Sequence, residues 1–206
     1  SPLTKDINTS LDKLQKPTAQ KARDAADEKI RLQKVTQDAN AFAGMLASEL
    51  SLLQGNTGGA LGAYVVMFER SGRPELAERA MQIAINGGGY NEAQLVLDRW
   101  RKVEPVPTQM QKQMAWELDA SRGNVGSALN DFPDVLNQAN EAQVRRVFLL
   151  LSQLSLAGPK VAEQGYDNVM AATKNYPNMS EAAVVEAMYA ALSGHDKQAV
   201  KALNRL

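Results

Sequence analysis

One histidine and no cysteine set the first limits on the chemistry that these 206 residues can carry. Thiolate zinc sites, iron–sulfur clusters, disulfides and cysteine nucleophiles need thiols, and multi-histidine metal sites need more than one imidazole. His195 lies between Gly194 and Asp196 near the end of the chain. A general base needs an orienting carboxylate and a nucleophile within reach; here the residue reads as a solvated turn histidine. Carboxylates cluster at Glu75/Glu78 and at Asp24/Asp27/Glu28. Two carboxyl groups divide acid and base roles only where their environments separate their pKa values, and nothing in either stretch predicts burial, so both read as exposed helix charge. Gly87-Gly88-Gly89 follows a helical pattern rather than a strand and lacks a downstream Lys-Ser/Thr, which predicts a turn and not a phosphate cradle. Arg145-Arg146 reads as a solvated face. Trp100 and Trp116 read as core, Trp116 as the more open of the two. No catalytic, cofactor-binding or metal-ligating residue is expected.

Composition narrows the classes further. Lys and Arg number 23 and Asp and Glu 23, so no global positive excess is available to neutralise phosphates. Aromatics, at 5%, are too few for rows of stacked bases. Hydrophobic residues make up 44%, enough for a core without staples. Alanine and leucine recur while β-branched runs are scarce, which predicts an all-α chain. No apolar run approaches the roughly 18 residues that a membrane-spanning helix needs. The opening Ser-Pro-Leu-Thr-Lys does not read as a signal peptide; the missing initiator Met suits a processed start or a piece of a longer chain.

The elements that must position these residues follow from spacing. Residues 1–38 carry many charges of both signs and no aromatic, with Pro2 and Pro17 expected to break the segment. They read as a polar leader or linker helix, followed by a repeat domain over 39–206. There, glycines at the ends of expected helices fall at 55, 88, 123, 158 and 194, at intervals of 33, 35, 35 and 36 residues. An alanine follows each: Ala60, Ala93, Ala128, Ala162 and Ala199. One turn later stand Tyr64, Leu97, Phe132, Tyr166 and Leu203, and three residues beyond those Met67, Trp100, Val135, Val169 and Leu206. Offsets of four and seven put all three on one helical face. Each unit therefore reads as two antiparallel helices reversed at a glycine, and such hairpins must stack to cover their apolar faces. First helices are expected over 39–53, 74–86, 107–121, 140–156 and 179–193, and second helices over 57–70, 90–103, 125–137, 159–175 and 196–206. Ser180 is expected to cap the fifth first helix. Pro133 should shorten, kink or restart its helix.

Gly88-Gly89-Tyr90-Asn91-Glu92-Ala93 with Pro105, and Gly123-Asn124-Val125 with Ala128, resemble the tetratricopeptide repeat. Leu46-Ala47-Ser48-Glu49-Leu50 before Gly55-Asn56, and Leu76-Ala77-Glu78-Arg79-Ala80, are similar to the opening repeats of long proteobacterial tetratricopeptide proteins, many of them exported lipoproteins. The resemblance covers about residues 40–206. It implies a right-handed α-solenoid of about five helical hairpins. Trp116 departs from it, standing where the family has a small residue, so the third hairpin should pack more openly. No polar capping helix follows the last hairpin, which implies that the natural protein continues or that another surface covers this end.

Such arrays bind ligands on the concave face built from their first helices. By register that face would hold Met45, Glu49, Glu78, Gln82, Met110, Gln113, Glu117, Phe148, Ser152 and Met188, with Phe42, Leu52 and Val184 beside them. Family members that grip chaperone tails use Lys, Arg and Asn there; Met45, Glu78, Gln113, Phe148 and Val184 stand in those places, so that clamp is absent. The resemblance implies a non-enzymatic scaffold that binds a protein or peptide, takes no cofactor or nucleic acid, and serves envelope complex assembly in the bacterial periplasm, held near the outer membrane through a processed N-terminus. Two other readings stay open: a helical accessory region of a larger enzyme, and a module that self-associates through its C-terminal hairpin.

Overall fold

The computed structural model describes the backbone of residues 1–206 and the side chains of all of them except 3, 7 and 11–18. The chain is all-helical, with ten α-helices and no strand among the described residues. It divides into two compact units, Ser1–Asn56 and Thr57–Leu206.

The first unit is one long helix, α1 (Pro2–Leu53), and its closing turn. Pro2 does not break it, because Pro2 occupies the first turn, where its missing N–H has no intrahelical partner to lose. The Ser1 side chain instead caps the start, its Oγ accepting from the Thr4 N–H at 3.3 Å. The break expected at Pro17 is not found in the backbone either; the side chain of Pro17 lies outside the described residues. The compositional change after residue 38 corresponds to no interruption, since the expected helix 39–53 is the last part of α1.

The second unit holds the other nine: α2 (Thr57–Ser71), α3 (Pro74–Asn86), α4 (Tyr90–Val103), α5 (Gln109–Ser121), α6 (Val125–Leu136), α7 (Glu141–Ser155), α8 (Pro159–Thr173), α9 (Ser180–Leu192) and α10 (Asp196–Leu203). All five repeat glycines have positive φ, from 75° at Gly88 to 132° at Gly158. At Gly88 the next N–H, of Gly89, bonds back to Ala84 O at 2.8 Å and the Gly88 N–H bonds to Ile85 O at 3.0 Å. That paired closure leaves one residue in a left-handed conformation, which glycine adopts without a Cβ penalty. The Gly158 turn is built differently, because Pro159 has no N–H to make the longer bond.

The alanines behind these glycines are all buried. Tyr64, Leu97, Phe132, Trp100, Val135 and Val169 are buried with them, whereas Leu203 and Leu206 of the last repeat are exposed. Helices in contact are neighbours or next-but-one in sequence: α3 lies against α4 and α5, α5 against α6 and α7, and α7 against α8 and α9. One core runs from Trp116 and Ala120 of α5 through Leu129 and Phe132 of α6 and Val147 and Leu151 of α7 to Val185 and Tyr189 of α9.

Two local expectations need correction. Ser180 is the first residue of α9 rather than its cap, which falls on Met179 without a side-chain bond; the full capping box is at α7, where Asn140 and Gln143 exchange side-chain and backbone bonds at 2.8 and 2.9 Å. Pro133 sits inside a continuous α6. Its missing N–H leaves the carbonyl of Leu129 without a helical donor, and Asn168 of α8 supplies one from Nδ2 at 3.0 Å. Trp116 keeps to expectation: it is core and the more open of the two tryptophans, 4% exposed against 0% for Trp100, and its Nε1 donates to Ala128 O at 2.9 Å. Beside it a cleft of about 430 Å³ opens, lined by Arg101 of α4, Lys112 and Asp119 of α5, and Asp131 and Asp134 of α6.

Candidate functional site

Within the second unit, α3, α5, α7 and α9 form the row that would carry a binding face, each packed on the next. Met45 and Glu49 belong to the first unit, where both are half-buried on α1 and Phe42 is exposed. Glu78 and Gln82 on α3, Met110 on α5, and Val184 and Met188 on α9 are half-buried, so they combine a fixed position with access from outside. Gln113, Glu117, Phe148 and Ser152 are buried. Phe148 belongs to the core, edge-on to Tyr176 with ring centroids 5.5 Å apart. Ser152 turns back on its own helix and donates to Phe148 O at 3.0 Å.

Glutamines stitch the start of α5 to its surroundings. The Thr108 Oγ1 accepts from the Gln111 N–H at 3.2 Å and caps the helix. Gln109 donates from Nε2 to Gln113 Oε1 at 2.7 Å and to Val135 O at 3.1 Å. Gln113 in turn donates to Gln143 O of α7 at 3.4 Å. Buried amides with several partners of this kind set a register between helices.

One turn further along α5, Glu117 is 2% exposed, and its Oε1 accepts from Nε of Arg146 on α7 at 2.5 Å. Its Oε2 is buried without a partner. Burial pushes the Glu117 carboxyl up to about 7; Arg146 pulls it down by charge and hydrogen bond, and Glu78 pushes it up again. The Glu78 carboxyl is also raised, first by burial, with Arg146 opposing and Glu75 adding to the rise. Burial wins because the cost of drying an anion grows faster than the attraction of one half-wet guanidinium.

This cluster overturns two sequence expectations. Glu78 is half-buried rather than a solvated helix charge, and Arg146 is the counter-ion of a buried carboxylate rather than part of an ordinary basic face. Its neighbour Arg145 does behave as a surface residue, pairing with Glu141 at 2.5 Å. A second buried carboxylate, Glu186 of α9, was also missed by the sequence reading; it accepts from Gln198 at 2.5 Å and from Arg205, tying α10 and the turn after it to α9. No run of types in the sequence announces either pair, since the partners come from different helices. The other singled-out residues fall where they were expected. Trp100 is fully buried, Gly87-Gly88-Gly89 makes the α3–α4 turn, and His195 is an exposed turn residue stacked on Tyr166 at 4.2 Å.

Among the described residues no three side chains of metal-ligating type come together, and no helix is long and apolar enough to cross a membrane. No protein-family model matches the chain, and no curated protein matches it at a significant level.

Proposed function

We propose that residues 57–206 are a right-handed α-solenoid of tetratricopeptide-like hairpins, and that the protein is a non-enzymatic scaffold holding a protein or peptide partner on the face of α3, α5, α7 and α9. The observation that carries the reading is the row itself: alternate helices in unbroken succession, with Glu78, Gln82, Met110 and Met188 half-open along it. Unbranched Met side chains adapt to an apolar partner surface, and the polar residues between them set its register. A role in envelope complex assembly in the bacterial periplasm follows from the resemblance of the repeat residues. Capture of partners on the immobilised protein, read by mass spectrometry, tests the reading. A variant combining Gln82→Lys, Met110→Glu and Met188→Glu should lose at least nine-tenths of the specifically captured partner while keeping its helical circular dichroism. Equal capture by the folded variant would contradict the proposal.

Self-association through α10 is a second reading, favoured by the exposure of Val200, Leu203 and Leu206. It predicts a mass by light scattering that grows with concentration and falls to the monomer in Leu203→Glu.

A further inference from the structure

We propose that Glu78, Glu117 and Arg146 form a proton-operated lock on the α3–α5–α7 face, closed by the Arg146–Glu117 ion pair and opened when Glu117 takes up a proton. The proposal rests on reading that face as the binding surface and concerns its regulation.

The pair has one dry end and one wet end: the Glu117 side chain is 2% exposed and that of Arg146 40%. Glu117 Oε1 is satisfied by the Nε–H of Arg146, but Oε2 is buried with nothing to accept from. A carboxylate half-satisfied in a dry site is an expensive anion, and a proton removes that expense. Charges reach Glu117 from two of the helices packed on α5. Arg146 comes from α7 and favours the anion, and Glu78 comes from α3 and opposes it. Glu75 acts on Glu78 in the same sense. From α4 and α6, Arg101, Asp131 and Asp134 line the cleft beside Trp116, whose lining does not include Glu117.

The balance places the Glu117 transition at about 7. Above it, the guanidinium is neutralised and α5 is tied to α7 by a charge-assisted bond. Below it, Glu117 is a neutral acceptor, Arg146 keeps its full charge, and the face gains close to one positive charge. That charge is then available to a carboxylate of the partner. The reacting bond is the proton's alone: it joins a Glu117 oxygen from solvent, and no other group is altered.

Carbon NMR of the Glu117 side-chain carboxyl and nitrogen NMR of the Arg146 Nε–H, followed together from pH 4.5 to 9 on the full chain, test this. The two signals should move with one shared midpoint near 7. Glu78→Gln should lower that midpoint and Arg146→Gln should raise it, each with unchanged helical circular dichroism. A Glu117 midpoint in the ordinary carboxylate range near 4.5, or an Arg146 signal that stays still through the Glu117 transition, overturns the lock. Because the titration is read with no partner present, its failure leaves the binding face standing, whereas loss of the binding face with the shared midpoint intact sinks only the partner reading.

Discussion

Glu117 shows how a single residue can work against the structure it belongs to. Its carboxyl is raised to about 7 in the folded chain against an ordinary 4.5, chiefly by burial. Between these values the folded chain keeps a proton that the unfolded chain has lost, so this group's contribution is fully present below 4.5 and is lost as pH rises through 7. Glu117→Gln removes the titration. Urea denaturation should therefore show the variant more stable than the parent at pH 8 by up to about 3 kcal/mol, and nearly equal to it at pH 4.5. A variant less stable at pH 8 would mean that the ion pair outweighs its desolvation. Gly165 is the opposite case, a residue defined by lack of room. A Cβ there would meet Cε1 of Tyr189 at 2.7 Å and Cδ2 of Leu129 at 2.8 Å. Gly165→Ala should cost about 1–3 kcal/mol by thermal or urea denaturation, as overpacked cores do.

At the scale of elements, the helices were legible because their stops are local chemistry. Glycines in positive φ and prolines just beyond them end one helix and start the next, and both residue types act through their own backbones. The expected 74–86 and 90–103 coincide with α3 and α4, and the other observed bounds in the second unit fall within a few residues of expectation. What failed depended on distant residues. Pro133 stays inside α6 because Asn168, 39 positions beyond Leu129, satisfies the Leu129 carbonyl that the proline orphans. This makes a testable pair. Asn168→Ala should cost about 1–3 kcal/mol alone and clearly less in a Pro133→Ala background, where the helix supplies its own donor; additive losses in the double-mutant cycle would refute the compensation. The face of the first helices was hard to read for a related reason. Such a helix is covered on more than one side, so period alone does not separate Phe148, which is core, from Met188, which is half-open.

Across the second unit, the helices that pack extensively on each other are near neighbours in the chain. Stability in such a chain is a sum of local and nearest-neighbour terms, so opening should begin at an end. Native-state hydrogen exchange should find α10, eight residues long and packed on α9, opening at a lower free energy than α5–α7, which share the continuous core. One common opening energy for all slow amides would contradict this. The Glu117–Arg146 pair belongs to this scale too. Its partners lie 29 positions apart, and no local pattern announces the pair because only the packing of α5 on α7 brings them together.

The binding face is tested most directly by placing a photo-crosslinking amino acid at single positions and irradiating the protein in its native host. Gln82 and Met188, on α3 and α9, should crosslink to one shared partner protein, while the exposed Leu95 on α4 and Glu163 on α8 should not. Crosslinks to that partner from Leu95 and Glu163, with none from Gln82 and Met188, would contradict the account.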